Sequence, residues 1–289
     1  MKYKVSIIIP TFNRENLLFL TLSTLANNKF DKNDFEVIVV DDGSTDSSGV
    51  VVRSFKEKLN IKYYYQDNKG FRVAKARNEG AKIAEGEVLL FLDCGILLST
   101  YGIEKHFCKH RSEKNVAVIG YVVGYDDFNK HESHLHKLIN VADIDTSINE
   151  MLKEEVFDMR EPLYIEHGID LSTWPAPWCI CWTGNFSVKK EVFDLVGGFD
   201  ERFQTWGGED TDLGLNLYTS GVKLVLNKLA VGIHYPHEKE KITVNPTDMK
   251  KRTYEKRMYM YNKYLLPEIK LWAENETFDL NRILLNQCY

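Results

Sequence analysis

Short apolar runs separated by polar turns set the rhythm of the first hundred residues. Residues 5–10 (VSIIIP) and 36–40 (EVIVV) are apolar almost throughout, a pattern that predicts short strands covered on both faces. Residues 61–65 predict a third strand and residues 87–92 (EVLLFL) a fourth. Helical patterns fall between them. One opens at Asn13 or Arg14 and carries Leu18, Leu22 and Leu25 on its apolar side; another, rich in alanine, covers residues 73–84. Ser44 to Asp46 supply capping groups for a helix after the second strand. Strand and helix in alternation predict an α/β fold with a mostly parallel central sheet flanked by helices. Ligands in such sheets sit beyond the carboxyl ends of the strands, where Pro10-Thr11, Asp41-Asp42 and Asp93 all fall.

The second half is less regular. Residues 116–124 read as a strand, whereas 125–175 are polar and mixed, with His131, His134 and His136 close together. That trio reads as a solvated face, with metal binding as the alternative. Order returns at residues 178–188 and 191–196, then in a helix over 210–220 and one strand, or two short ones, over 223–234. A charged, tyrosine-rich helix covers 247–264, and Pro267 separates it from a last helix. No linker or repeat is visible, so the expectation is one main domain over residues 1–240 with a C-terminal helical extension over 241–289.

Composition narrows the partners. The 289 residues are 44% hydrophobic, enough for a substantial core. The net charge of −5, without a long basic run, argues against nucleic acid. Apolar runs stop at about five residues, far short of the ~20 needed to cross a bilayer. The chain enters its first strand at once, which predicts no signal peptide, and five irregularly spaced cysteines suit a reducing compartment. The expected location is cytoplasmic, with peripheral contact at the inner membrane face allowed. Cys179 and Cys181 stand too close together for the usual zinc spacing.

The densest chemistry lies at Thr205-Trp206-Gly207-Gly208-Glu209-Asp210. A large ring, two glycines and two adjacent carboxylates open a predicted helix. Acids there are also what a helix N-terminus favours electrostatically. A ring beside a flexible turn beside a carboxylate is, however, what an enzyme needs to stack a sugar-like face and take a proton from its hydroxyl.

These pieces together resemble a known family. Residues 6–14 (SIIIPTFNR) and 39–44 (VVDDGS) strongly resemble the nucleotide-binding half of GT-A glycosyltransferases of family 2. Residues 70–80 (GFRVAKARNEG) and 91–94 (FLDC) look like the matching segment of bacterial chondroitin-polymerase-type enzymes. The stretch from 197–200 (GGFD) to 206–210 (WGGED) is similar to the acceptor-side motif of those enzymes, and of galactosyl- and N-acetylgalactosaminyltransferases. The resemblance implies a UDP-sugar donor whose nucleotide is held by Pro10, Thr11, Asn13, Asp42 and its neighbour Asp41. It places Arg72 and Arg77 toward the uridine or diphosphate, and Asp93 as a metal ligand or ribose partner.

Asp210 would be the base of an inverting displacement, and Glu209 would position sugar hydroxyls. Trp206 would stack, with Gly207 and Gly208 forming the turn, and Trp182, Gly184 and Asn185 would line the donor sugar. The acceptor would be a glycan, a lipid-linked sugar or a peptide. The family's metal motif is incomplete here, because Asp93-Cys94-Gly95 lacks the second acid. A divalent metal, Mn2+ or Mg2+, is therefore expected to be weakly held, by Asp93 and His234, with His237 less favoured. Two rivals stand beside this reading: a nucleotidyltransferase, whose glycine-rich basic loop PTFNREN does not match, and a sugar-nucleotide-binding module without catalysis.

Overall fold

The computed structural model describes residues 1–125, 132–237 and 245–287. Its first half follows the predicted alternation: β1 (Tyr3–Thr11), α1 (Glu15–Asn27), β2 (Phe35–Asp41), α2 (Ser48–Ser54), β3 (Ile61–Tyr65), α3 (Val73–Ile83) and β4 (Gly86–Leu92). The second half runs β5 (Ile96–Leu98), α4 (Gly102–Ser112), β6 (Val116–Val123), α5 (Glu132–Leu138), α6 (Ile144–Lys153), α7 (Glu161–His167), β7 (Asn185–Lys189), α8 (Lys190–Val196), α9 (Glu209–Thr219) and β8 (Lys223–His234). Helices α10 (Pro246–Tyr264), α11 (Pro267–Glu274) and α12 (Leu280–Gln287) close the described chain.

The strands form one sheet in the order β3-β2-β1-β4-β7-β6-β8-β5. Strands β1 to β4 pair in parallel, β7 runs antiparallel between β4 and β6, and β8 is parallel to β6. The period-2 geometry of a strand explains the apolar runs. Along β1, Val5, Ile7 and Ile9 face a layer with Leu18 and Leu22 of α1, Val52 of α2 and Ile103 of α4, while Ile8 faces Ala76 and Ala81 of α3. Both faces are covered, so neither needs polar positions.

Residues 132–175, polar and mixed in composition, are nonetheless ordered, because α6 buries Ile144, Ile148 and Met151 along one stripe. Residues 178–188 divide into a 3-10 turn at Pro177–Ile180 and the strand β7. The predicted last helix divides into α11 and α12. Helices α10 to α12, within the stretch 241–289 read as an extension, contribute to the main core: Met260, Ile269, Trp272 and Leu280 join the cluster that holds Trp178 and Leu213. The rings of Trp178 and Trp272 meet edge to face at 5.3 Å.

Candidate active site

Three strand ends bring together the residues expected to hold a nucleotide. Thr11 and Asp41 are register partners at the ends of β1 and β2, and the Asp42 amide donates to the Thr11 carbonyl at 2.9 Å. The loop after β1 is stitched to the loop after β2: the Asn13 amide donates to Ser44 Oγ, and Asn13 Oδ1 accepts from the Thr45 amide, each at 2.8 Å. Asp42 Oδ1 accepts from Gln66 Nε2 and from Arg72, each at 2.6 Å. Arg72 also donates to the Asp67 carbonyl. Thr11, Asn13, Asp42 and Arg72 thus share one rim, with Pro10 on the strand below them. Asp41 is turned inward, where it accepts from Tyr63 Oη at 2.6 Å and the Ser44 amide at 2.7 Å, and so shapes the loop from beneath.

Arg77, on α3, is the centre of the second cluster. Expected to face uridine or diphosphate, it is instead buried among three carboxylates: Asp93 at 2.9 Å, Asp210 at 3.1 Å and Glu209 at 3.2 Å. Its guanidinium also lies 5.2 Å from the Phe199 ring centre. The antiparallel entry of β7 explains the convergence. Asn185 pairs with Leu92, so the segment just before β7 lies against the residue just after β4. The Asp93 amide donates to the Gly184 carbonyl at 2.9 Å, and a Cβ on Gly184 would meet Asp93 Oδ2 at the same distance. Thr183 donates its hydroxyl to Asp210 Oδ1.

The carboxylates differ in what they leave available. Both contacts to Asp210 fall on Oδ1, and its side chain keeps 23% of its exposure. Glu209 is buried, with Oε1 toward Arg77 and Oε2 without a hydrogen-bond partner. Burial raises both carboxyl pKa values; the Asp210 charge raises that of Glu209 further, while Arg77 opposes the shift in each. A buried acceptor with no partner is uncommon in a folded protein and calls for a physical explanation. Capping does not account for these acids, because α9 opens on Gly208 with no side-chain cap.

The turn before α9 requires its glycines: φ is +83° at Gly207 and +103° at Gly208. Trp206 stands outward with 66% of its surface exposed. Trp182 is half-buried, with the guanidinium of Arg160 5.1 Å from its ring centre. Arg160 is itself buried in an ion pair with Asp158 at 2.6 Å.

One expected sugar contact lies elsewhere. Asn185 is buried inside the sheet, where its amide donates to the carbonyls of Ala230 (2.9 Å) and Tyr121 (3.3 Å) and its oxygen meets His106 Nε2 at 2.9 Å. Nothing of that amide is left for a sugar. Thr183, two residues earlier, is buried and gives its hydroxyl to Asp210 Oδ1; a hydroxyl between Trp182 and Gly184 was the available signal. Gln66, at the end of β3, was findable by the same strand-end rule that singled out Asp42.

A divalent metal has few ligands here. Asp93 keeps 45% of its side-chain surface exposed but gives Oδ1 to Arg77. Cys94 turns its sulfur toward Thr11 and the Arg14 carbonyl, and burial pushes its thiol pKa up to about 12. His234 is register partner of Ile96, and the Tyr235 amide donates to the Gly95 carbonyl, so this histidine comes to the same corner. Its ring packs on Tyr125 at 4.7 Å and on His237 at 5.2 Å. Among the described residues no three His, Cys, Asp or Glu side chains form a metal-holding group. His134 and His136 lie near Glu154 and Glu132 on the surface, while His131 lies outside the described residues.

Residues 6–195 match the family model described as glycosyl transferase family 2. The chain belongs to that family. Residues 164–240 also match a model described as the N-terminal domain of galactosyltransferase, which spans Trp182, Trp206 and both acids. Validoxylamine A glucosyltransferase of Streptomyces hygroscopicus subsp. limoneus is 40% identical over 237 residues, covering 81% of this chain and 52% of that one. Chondroitin synthase of Escherichia coli is 32% identical over 227 residues, covering 75% and 32%. The chain thus spans about half the length of the first of these relatives, and less of the second.

The structure of Staphylococcus aureus TarS 1–349 in complex with UDP-GlcNAc superposes with a TM-score of 0.66 at 20% identity, over 97% of this chain and 74% of that one. A mannosyltransferase from Pyrobaculum calidifontis, in complex with GDP-Man and Mn2+, gives 0.59 at 15%, over 100% and 75%. At these identities the likeness concerns the fold, which is GT-A. No helix among the described residues is long and apolar enough to cross a membrane.

Proposed function

We propose that the chain transfers a hexose or N-acetylhexosamine from a UDP-sugar to a hydroxyl of a glycan, lipid-linked sugar or peptide, inverting the anomeric centre. The observation that carries this reading is the pairing of Asp210, held through Oδ1 by Arg77 and Thr183, with the partnerless Glu209 Oε2 beside it. In the reaction, Asp210 Oδ2 takes the proton of the acceptor hydroxyl, whose oxygen forms a bond to the anomeric carbon. The bond from that carbon to the diphosphate oxygen breaks, and UDP leaves with the electron pair. A base whose pKa is raised by burial removes such a proton more readily than an ordinary carboxylate. Glu209 Oε2 accepts from a sugar hydroxyl, Trp206 offers its face to the acceptor, and Trp182 and Gly184 border the donor sugar.

Thr11, Asn13, Asp42 and Arg72 surround the nucleotide, over Pro10 and Asp41. Three carboxylates against one guanidinium leave the Arg77 cluster two charges negative when all are ionised. A diphosphate needs added positive charge to sit beside them. Mg2+ in nucleotide sites is commonly held by one or two carboxylates plus phosphate oxygens, so Asp93 suffices as the protein's main donor, with His234 at the same corner. Such an ion would neutralise the diphosphate. A lipid-linked acceptor would be met by peripheral contact at the cytoplasmic membrane face.

The test uses the purified protein with UDP-glucose, UDP-galactose and UDP-GlcNAc, with and without Mn2+. Slow metal-dependent release of UDP, and a melting shift larger with UDP than with GDP, are expected. Asp42→Ala should remove most of the UDP shift, since it leaves Gln66 and Arg72 without their shared acceptor. A larger shift with GDP would overturn the nucleotide assignment, and full turnover after exhaustive chelation would remove the metal.

A further inference from the structure

The Trp206 turn is fastened from outside its own segment. Lys256, on α10, sends its ammonium to three consecutive carbonyls: Trp206 at 2.5 Å, Gly207 at 2.8 Å and Thr205 at 3.2 Å. A lysine ammonium has three protons, and here each has one acceptor. The Lys256 stem also lies alongside Gly208, whose added Cβ would come within 3.4 Å of Lys256 Cδ and 2.8 Å of the Phe203 ring. Two turns further along the same helix, Lys263 reaches Asp212 at 2.8 Å and Asp200 at 3.1 Å. Tyr264 donates to the Asp212 carbonyl at 3.1 Å, and Tyr259 to Asp200 at 2.7 Å.

Seven residues on a helix span about 10 Å on nearly one face, so a single helix grips both the turn before α9 and the first turn of α9 itself. The two grips differ. Asp200 and Asp212 have several partners each. The carbonyls of Thr205, Trp206 and Gly207 converge on the one ammonium, in a turn whose glycines give it little stiffness of its own.

We propose that α10 is a working part of the acceptor side of the site, with Lys256 the positioning residue that sets the Trp206 ring relative to Asp210. This rests on the glycosyltransferase reading above. Only Gly207, Gly208 and Glu209 separate the ring from the base. Fixing the three carbonyls fixes the path between them, and a displacement of about 1 Å at a reacting geometry can cost on the order of a hundredfold in rate.

The experiment compares Lys256→Met, which keeps the stem and removes the ammonium, with Lys256→Arg, which keeps a charged donor. Amide hydrogen exchange at residues 204–209 is measured together with UDP-glucose and UDP-GlcNAc hydrolysis, and with transfer to a panel of p-nitrophenyl glycosides. Lys256→Met should raise exchange in that turn but not in residues 1–125. It should lower turnover at least about tenfold with donor KM unchanged, and Lys256→Arg should recover part of both.

Wild-type exchange in Lys256→Met would overturn the proposal, as would faster exchange with turnover held within twofold. If the wild type turns over no UDP-sugar, the glycosyltransferase reading fails by itself. The exchange measurement then decides alone whether Lys256 orders the turn.

Discussion

Two buried polar clusters flank β7, and they are built on opposite principles. On one side, Asp93, Glu209 and Asp210 crowd a single guanidinium, one carboxylate oxygen has no partner, and the group opens to the surface through Asp93. On the other, His106 of α4 bridges Ser187 Oγ at 2.8 Å and Asn185 Oδ1 at 2.9 Å, and His110 Nε2 meets the same Ser187 oxygen at 2.9 Å. Burial drives both histidines to the neutral form, with pKa values pulled down to about 4 and about 3. The first cluster keeps excess charge where a ligand can reach it; the second removes charge and ties α4 to the sheet. Burial with hydrogen bonding is common to both. The mark of a reactive site is charge left unbalanced beside an opening.

The largest effect should come from Asp210→Asn. Asparagine retains an acceptor for Arg77 and Thr183 but cannot take a proton, so turnover should fall about 10²–10⁴-fold, with UDP affinity nearly unchanged. Transfer rate and melting temperature measured side by side decide it. A variant that keeps more than about a tenth of the wild-type rate would take the base role from Asp210 and leave the two clusters functionally alike.

This comparison was only half legible in the sequence. β1, β2 and β4 could be read because strands covered on both faces are uniformly apolar, and the motifs at their ends followed from the sheet rule. Glu209 and Asp210 stood out beside two glycines and a tryptophan. Arg77 was named by the resemblance, but its pairing with three carboxylates was not, since they lie 16, 132 and 133 residues away and meet it only because β7 enters antiparallel beside β4. The same strand misled the reading of Asn185: it sits one residue from Gly184, but strand alternation turns it into the sheet toward His106. Lys256 gave no local signal, because its three acceptors are backbone atoms about fifty residues earlier.

The next largest effect concerns the histidine cluster, and its sign is fixed. An unfolded histidine binds a proton as pH falls through 6.5, whereas folded His106 stays neutral until about 4. Between those values the unfolded chain holds more protons, so stability is full above 6.5 and is lost as pH falls through the window. The shift corresponds to at most about 3 kcal/mol. Urea midpoints at pH 7, 5.5 and 4.5 for wild type and His106→Gln should show a steeper loss in the wild type. Parallel curves would mean that His106 is not held neutral.

The smallest effect has the opposite sign and belongs to the acid cluster. Burial and Asp210 raise the Glu209 pKa above its ordinary 4.5, so in the interval above 4.5 the folded state holds more protons than the unfolded one. Stability from this group therefore falls as pH rises, the reverse of the histidine case. Glu209→Gln removes the titration while keeping an oxygen that can accept from Arg77. The variant should be about as stable as wild type near pH 5 and should gain on it as pH rises towards 8, where wild-type Glu209 must ionise in its buried site. Sugar binding should weaken, because the partnerless Oε2 becomes an amide donor, so KM for donor or acceptor should rise at least as much as turnover falls. Melting curves of the two proteins from pH 5 to 8 read the stability directly. A difference that shrinks with rising pH would mean that Arg77 outweighs burial, and that the cluster is as well balanced as the histidines across β7.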